Sequence, residues 1–91
     1  MKETKYIIKK NKLIFLKENI KNISVLTKIE KILQKINKEK NINSSSLQLT
    51  QEEAEAVLDE LTFLFTLKGV DENSEPNKLG LFIEELIDIF S

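Results

Sequence analysis

The chain has 91 residues, the size of one domain, with no room for a second core. It has no cysteine and no histidine, and all 14 of its basic residues are lysine; this excludes disulfides, thiolate chemistry, ordinary zinc sites and imidazole acid–base catalysis. The net charge is −1, but residues 1–40 carry 12 Lys against 4 Glu (+8) and residues 41–91 carry 2 Lys against 11 acids (−9), so the two halves have opposite sign.

The N-terminal apolar runs, Tyr6–Ile8 and Leu13–Leu16, are shorter than a signal-peptide core or a membrane span, so the expected setting is cytoplasmic, away from a membrane. Abundant isoleucine, asparagine and lysine without arginine match the output of an AT-rich bacterial genome, so part of the lysine content is compositional bias. A domain of this size has modest intrinsic stability, which makes association with a partner or with a second copy energetically significant.

Residues 5–16 place two short β-prone runs around Lys9-Lys10-Asn11-Lys12, and Asn11 tolerates positive φ. The stretch reads as a short β-hairpin over 5–16 or, equally, as an opening helix, because periodicity does not discriminate runs of three or four apolar residues. From Val25 onward the pattern is clear: Val25, Leu26, Ile29, Ile32, Leu33 and Ile36 share one face at 100° per residue, which predicts an amphipathic helix over 24–39 with Ser24 as its N-cap. Residues 41–46 read as a polar connection, and Leu47-Gln48-Leu49 alternates as a brief extended segment able to pair with the hairpin.

Thr50-Gln51-Glu52-Glu53 has capping-box spacing, and the helix it opens is predicted to run over 51–68 and to stop at Gly69 in the left-handed C′ conformation, with Val70 making the accompanying apolar contact. An acidic, turn-rich stretch, Asp71 to Asn77, leads into a third apolar stripe of Leu79, Phe82, Ile83, Leu86, Ile87 and Phe90, a helix over 78–90. Asn77 is its natural cap, or Pro76 its first residue. The expected fold is therefore mainly α, a three-helix core (24–39, 51–68, 78–90), with a small sheet added if 5–16 forms the hairpin.

The 51–68 helix has two apolar faces. Ala54, Val57, Leu58, Leu61, Leu64 and Phe65 form one, and Ala56, Phe63 and Leu67 lie nearly opposite. Either the N-terminal segment covers the second face, or that face binds a partner or a second copy. The acids of this half offer a negative surface to a basic partner. The basic N-terminal half supports an alternative, a nucleic-acid-associated regulator using Lys9, Lys10, Lys12 and Lys17. That alternative lacks arginine for bidentate guanine contacts, and only Tyr6 and Phe15 lie among the lysines for stacking.

Asp71, Asn73 and Glu75 open like a calcium loop, but Pro76 stands where the glycine turn belongs and Phe82 where the bidentate glutamate belongs, so no metal site is expected. There is no glycine-rich phosphate loop, and adjacent carboxylates such as Glu84 and Glu85 diverge on a helix. The chain reads as a non-enzyme without cofactors.

The second half also carries a resemblance. The runs Leu49-Thr-Gln-Glu-Glu-Ala-Glu55, Leu58-Asp-Glu-Leu61, Lys68-Gly-Val-Asp-Glu-Asn-Ser-Glu-Pro-Asn77, Leu79-Gly-Leu81 and Ile83-Glu-Glu-Leu-Ile-Asp88 look like a short helical module of small bacterial proteins, some of them at toxin-immunity loci. The likeness covers 49–90 and attaches no catalytic or ligand residue; it implies a binding protein, with an immunity or inhibitor role toward a protein partner such as a toxin. The residues expected to make that contact are Asp59, Glu60, Phe63, Leu67, Asp71, Glu72 and Glu75.

Overall fold

The computed structural model describes residues 2–39, 42–70, 72 and 75–91. Along the chain run β1 (Glu3–Lys9), α1 (Lys10–Asn19), α2 (Ile23–Lys38), β2 (Ser44–Thr50), α3 (Gln51–Lys68) and α4 (Lys78–Phe90). The fold is mainly α with a two-stranded antiparallel sheet, and among the described residues no helix is long and apolar enough to cross a membrane.

Each of the two readings of 5–16 holds for part of the stretch: residues up to Lys9 are a strand, as the hairpin reading has it, and those from Lys10 are a helix, as the alternative has it, so the sheet is not a local hairpin. Only the first part of that stretch is a strand, and β1 pairs with β2 in a register running from Glu3↔Thr50 to Lys9↔Ser44. The expected turn at Lys9–Lys12 is instead the direct passage from strand to helix, and the Lys10 amide prolongs the ladder by donating to the Asn43 carbonyl at 2.7 Å. The physical reason is burial. As a helix, 10–19 turns Leu13 and Leu16 into the core together with Ile20 just beyond it, whereas a hairpin would place Leu13–Leu16 alternately in and out. The extended segment at Leu47–Leu49 is the strand that β1 pairs with, and Tyr6, Ile8, Leu47 and Leu49 face inward.

α2 begins one residue earlier than expected, and its cap is Asn22: the Asn22 side-chain oxygen accepts the Val25 amide at 3.1 Å. Ser24 is drawn elsewhere, its hydroxyl donating to the Glu53 carboxylate. Val25, Ile29, Leu33 and Ile36 are buried, with Leu26 and Ile32 half-buried beside them.

α3 matches its expected span, and the capping box is closed: Thr50 Oγ1 accepts the Glu53 amide at 3.2 Å, and Glu53 Oε1 accepts the Thr50 amide at 2.9 Å. Glu53 does more than cap. It also receives Lys28 Nζ at 2.6 Å, and the same ammonium reaches Glu3 at 2.5 Å and the Gln48 carbonyl at 3.2 Å, so one cluster joins β1, α2, β2 and α3. Burial pushes the Glu53 carboxyl up, but the hydrogen bonds from Lys28, Ser24 and the Thr50 amide outweigh it and hold the pKa at about 2. Hydrogen bonds to Glu3 and Glu53 raise the Lys28 ammonium above its ordinary value.

Gly69 ends α3, but not in the left-handed conformation expected from the sequence: its φ is −89° and its ψ −2°. Glycine is needed there for space. A Cβ on Gly80 would lie 2.0 Å from the Gly69 carbonyl oxygen, and one on Gly69 would lie 2.9 Å from the Phe65 ring, so the end of α3 and the start of α4 meet backbone against backbone. Asn77 fixes the turn between them. Its side-chain oxygen caps α4 by accepting the Gly80 amide at 2.7 Å, its side-chain amide donates to the Lys68 carbonyl at 2.9 Å, and its backbone amide donates to the Gly69 carbonyl at 3.0 Å. Ile83, Leu86 and Phe90 then enter the core, where the Phe90 ring lies 4.8 Å from that of Tyr6 and Phe82 meets Phe15 edge-on at 5.1 Å.

Candidate functional site

The apolar core uses only one face of α3. Ala54, Val57 and Leu61 are buried, while Phe63 and Leu67 on the other side remain 65% and 60% exposed. The N-terminal segment does reach this side of the helix, but it flanks the face without covering it. The end of α1 and the link after it supply Glu18, Asn19 and Lys21, and together with Asp59, Glu60, Phe63, Leu64, Leu67 and Lys68 they line an open groove of about 430 Å³.

The groove has a defined wall. Asn19 turns its amide back onto the Phe15 carbonyl at 2.8 Å, which ends α1, and Glu60 Oε1 accepts the Lys21 amide at 2.9 Å, which ties the following link to α3. The other carboxylate oxygen of Glu60 is buried and meets no donor among the described residues. Asp59, one position earlier, is exposed at the rim. The result is an apolar floor from Phe63, Leu64 and Leu67, bordered by three acids (Glu18, Asp59, Glu60) and two lysines (Lys21, Lys68).

Of the residues expected from sequence to meet a partner, Asp59, Glu60, Phe63 and Leu67 therefore share one groove. Glu72 and Glu75 are exposed in the connection between α3 and α4 and do not line it, and Asp71 lies outside the described residues. Sequence reasoning missed the opposing wall, Glu18, Asn19 and Lys21. The available signal was Ile20: read as the residue that follows a helix through Leu13 and Leu16, it brings the end of that helix against the core and its polar neighbours to the rim.

The lysines considered for nucleic acid differ in their surroundings. Lys9 and Lys17 are exposed and Lys10 is half-buried, but the Lys12 side chain is only 13% exposed, paired with Glu85 at 2.9 Å and lying over the Phe82 ring at 5.7 Å. Tyr6 and Phe15, the aromatics among them, are both engaged in ring pairs within the fold.

Comparison with known protein families, characterised proteins and solved structures finds no match to this chain.

Proposed function

We propose that this chain is a non-catalytic binding protein that occludes a protein partner through the groove on α3, in the manner of an immunity or inhibitor protein acting on a bacterial toxin. The observation that carries the reading is the exposure of Phe63 and Leu67, 65% and 60%, on a helix whose other face supplies Ala54, Val57 and Leu61 to the core. Large apolar side chains clustered in a groove and rimmed by charge mark interaction surfaces, where the apolar pair supplies the anchor and the rim charges supply orientation and on-rate. Occlusion by such a surface needs no catalytic group on the binding protein.

The test uses the tagged full chain, the variant Phe63→Ala/Leu67→Ala and the variant Asp59→Lys for capture from host lysate with and without nuclease. A stoichiometric protein that survives nuclease and is lost with Phe63→Ala/Leu67→Ala is the expected result. Retention of the same protein by that variant would remove this face from the account, and material lost on nuclease treatment would favour the lysine-based alternative. Asp59 is the acid to reverse, since reversing Glu60 would also break its bond to the Lys21 amide and confuse binding with folding. The partner's association rate should fall with Asp59→Lys and with added salt.

A further inference from the structure

A second surface, built from other residues, lies along the outer edge of β2. In an antiparallel pair, alternate residues turn their backbone groups toward the partner strand and the rest turn them away. The Lys10–Asn43 bond sets the phase, so that Ile8↔Ser45, Tyr6↔Leu47 and Thr4↔Leu49 exchange the ladder bonds, and Ser44, Ser46 and Gln48 face away from β1. Two contacts agree: the Gln48 carbonyl meets Lys28 Nζ and the Thr50 amide meets Glu53, neither of which belongs to β1. The edge is thus closed at its α3 end by Lys28 and Glu53. Farther along, no donor or acceptor among the described residues meets the outward backbone groups of Ser46.

Beside this edge runs a row of cations. Lys31, Lys35 and Lys38 stand at i, i+4 and i+7 of α2, so they share a face, and none has an acidic partner among the described residues. A groove lined by Glu3, Lys28, Lys31, Ile32, Ser46, Leu47 and Gln48 separates helix from strand, with Glu3 held at its closed end by Lys28, and a second, lined by Lys31, Ile32, Gln34, Lys35 and Lys38, shares Lys31 and Ile32 with it. α2 runs antiparallel to β2, since Lys28 near its start touches Gln48 near the end of the strand, and α2 ends at Lys38, six positions before the strand begins at Ser44. The lysines therefore follow the strand edge for about 10 Å at 1.5 Å per residue.

We propose that this edge and the Lys31–Lys35–Lys38 row dock an extended acidic segment of a protein partner as an added strand. Ser46 and its neighbours supply backbone hydrogen bonds, and the lysines select carboxylates, which recur on one side of a strand about every 7 Å. A second copy is a poor occupant, because pairing β2 with β2 would bring two lysine rows together. Nucleic acid is also a poor one: a phosphodiester has no amide to match the strand edge, and no aromatic ring lines the groove for stacking.

The probe is a fluorescein-labelled octapeptide alternating Glu and Val, titrated with the full chain and followed by anisotropy. Two further versions carry N-methyl groups on alternate backbone amides, in opposite phases. Docking as an added strand predicts that one methylated version loses binding by about tenfold or more while the other keeps it, since only alternate amides face β2. Lys31→Glu/Lys35→Glu should weaken the parent peptide to a similar degree and steepen no other binding. Equal binding of both methylated peptides, or equal affinity for an oligothymidine of the same charge, would overturn the proposal in favour of a general anion-attracting surface. Reversal of the lysines that yields dimers without changing peptide affinity would overturn it too, showing that the row only guards the edge against self-pairing. Failure here leaves the α3 groove untouched, because Phe63→Ala/Leu67→Ala should not alter peptide binding.

Discussion

At the scale of single residues, two side chains and one missing side chain hold the geometry. Glu53 is 8% exposed yet charged, and its carboxyl sits far below its ordinary value of 4.5. A depressed carboxyl contributes stability that is fully present above about pH 4.5 and is lost as pH falls toward about 2. For Lys28, raised above its ordinary 10.5, the contribution is present below that value and is lost as pH climbs through the raised one. Glu53→Gln should therefore lower stability at neutral pH by about 1–3 kcal/mol and flatten the acid limb of the stability–pH curve, measured by urea unfolding at several pH values. If the variant's acid limb stayed as steep as the wild type's, Glu53 would not be the group responsible. Gly80→Ala places a Cβ against the Gly69 carbonyl and should cost about 1–3 kcal/mol by thermal unfolding, although alanine favours helix by propensity alone.

At the scale of elements, three of the four helices were legible because each carries an apolar stripe at helical spacing together with a local stop or start signal. Thr50 with Glu53 and Asn77 with Gly80 are such signals, and both caps form. α1 is legible only as one of two equal readings: its claim rests on Leu13, Leu16 and the following Ile20, too few positions to separate a helix from a strand, and its cap, Lys9, makes no side-chain bond. Its place after a helix makes Gly69 read as a conformational glycine, whereas the need for it comes from Gly80, eleven positions on, a contact that no local pattern encodes. The two-faced character of α3 was visible in its spacing; which face would stay open was not, since that depends on where α1 ends. Phe63→Ser should change the stability of the isolated chain by no more than about 0.5 kcal/mol, as expected for a side chain outside the core. A larger loss in chemical unfolding would mean that Phe63 serves the fold and not a partner.

At the scale of the whole molecule, the core draws on every element, and the sheet ties the first residues of the chain to its middle. Deleting 2–9 would uncover Leu47 and Leu49, both fully buried, and remove Ile8 and the Tyr6 ring from Phe90. The expected outcome is loss of cooperative unfolding with dye-binding apolar surface, checked by circular dichroism melts and a fluorescent apolar probe. The division of charge in the sequence is only partly kept apart in space: Lys28 meets Glu3 and Glu53, and Lys12 meets Glu85, so some of the basic half is spent on holding the acidic half in place. The candidate surfaces are what these internal pairings leave over.

Both strands pass straight into helices, β1 into α1 at Lys9–Lys10 and β2 into α3 at Thr50–Gln51, with no residue between. Adding a single residue at either junction would turn the whole following helix by about 100° while the ladder stays in register. Leu13 and Leu16, or Ala54, Val57 and Leu61, would then swing out of the core together. A scanning insertion library, sorted for folded protein, should accordingly show the two strand–helix junctions as its least permissive sites.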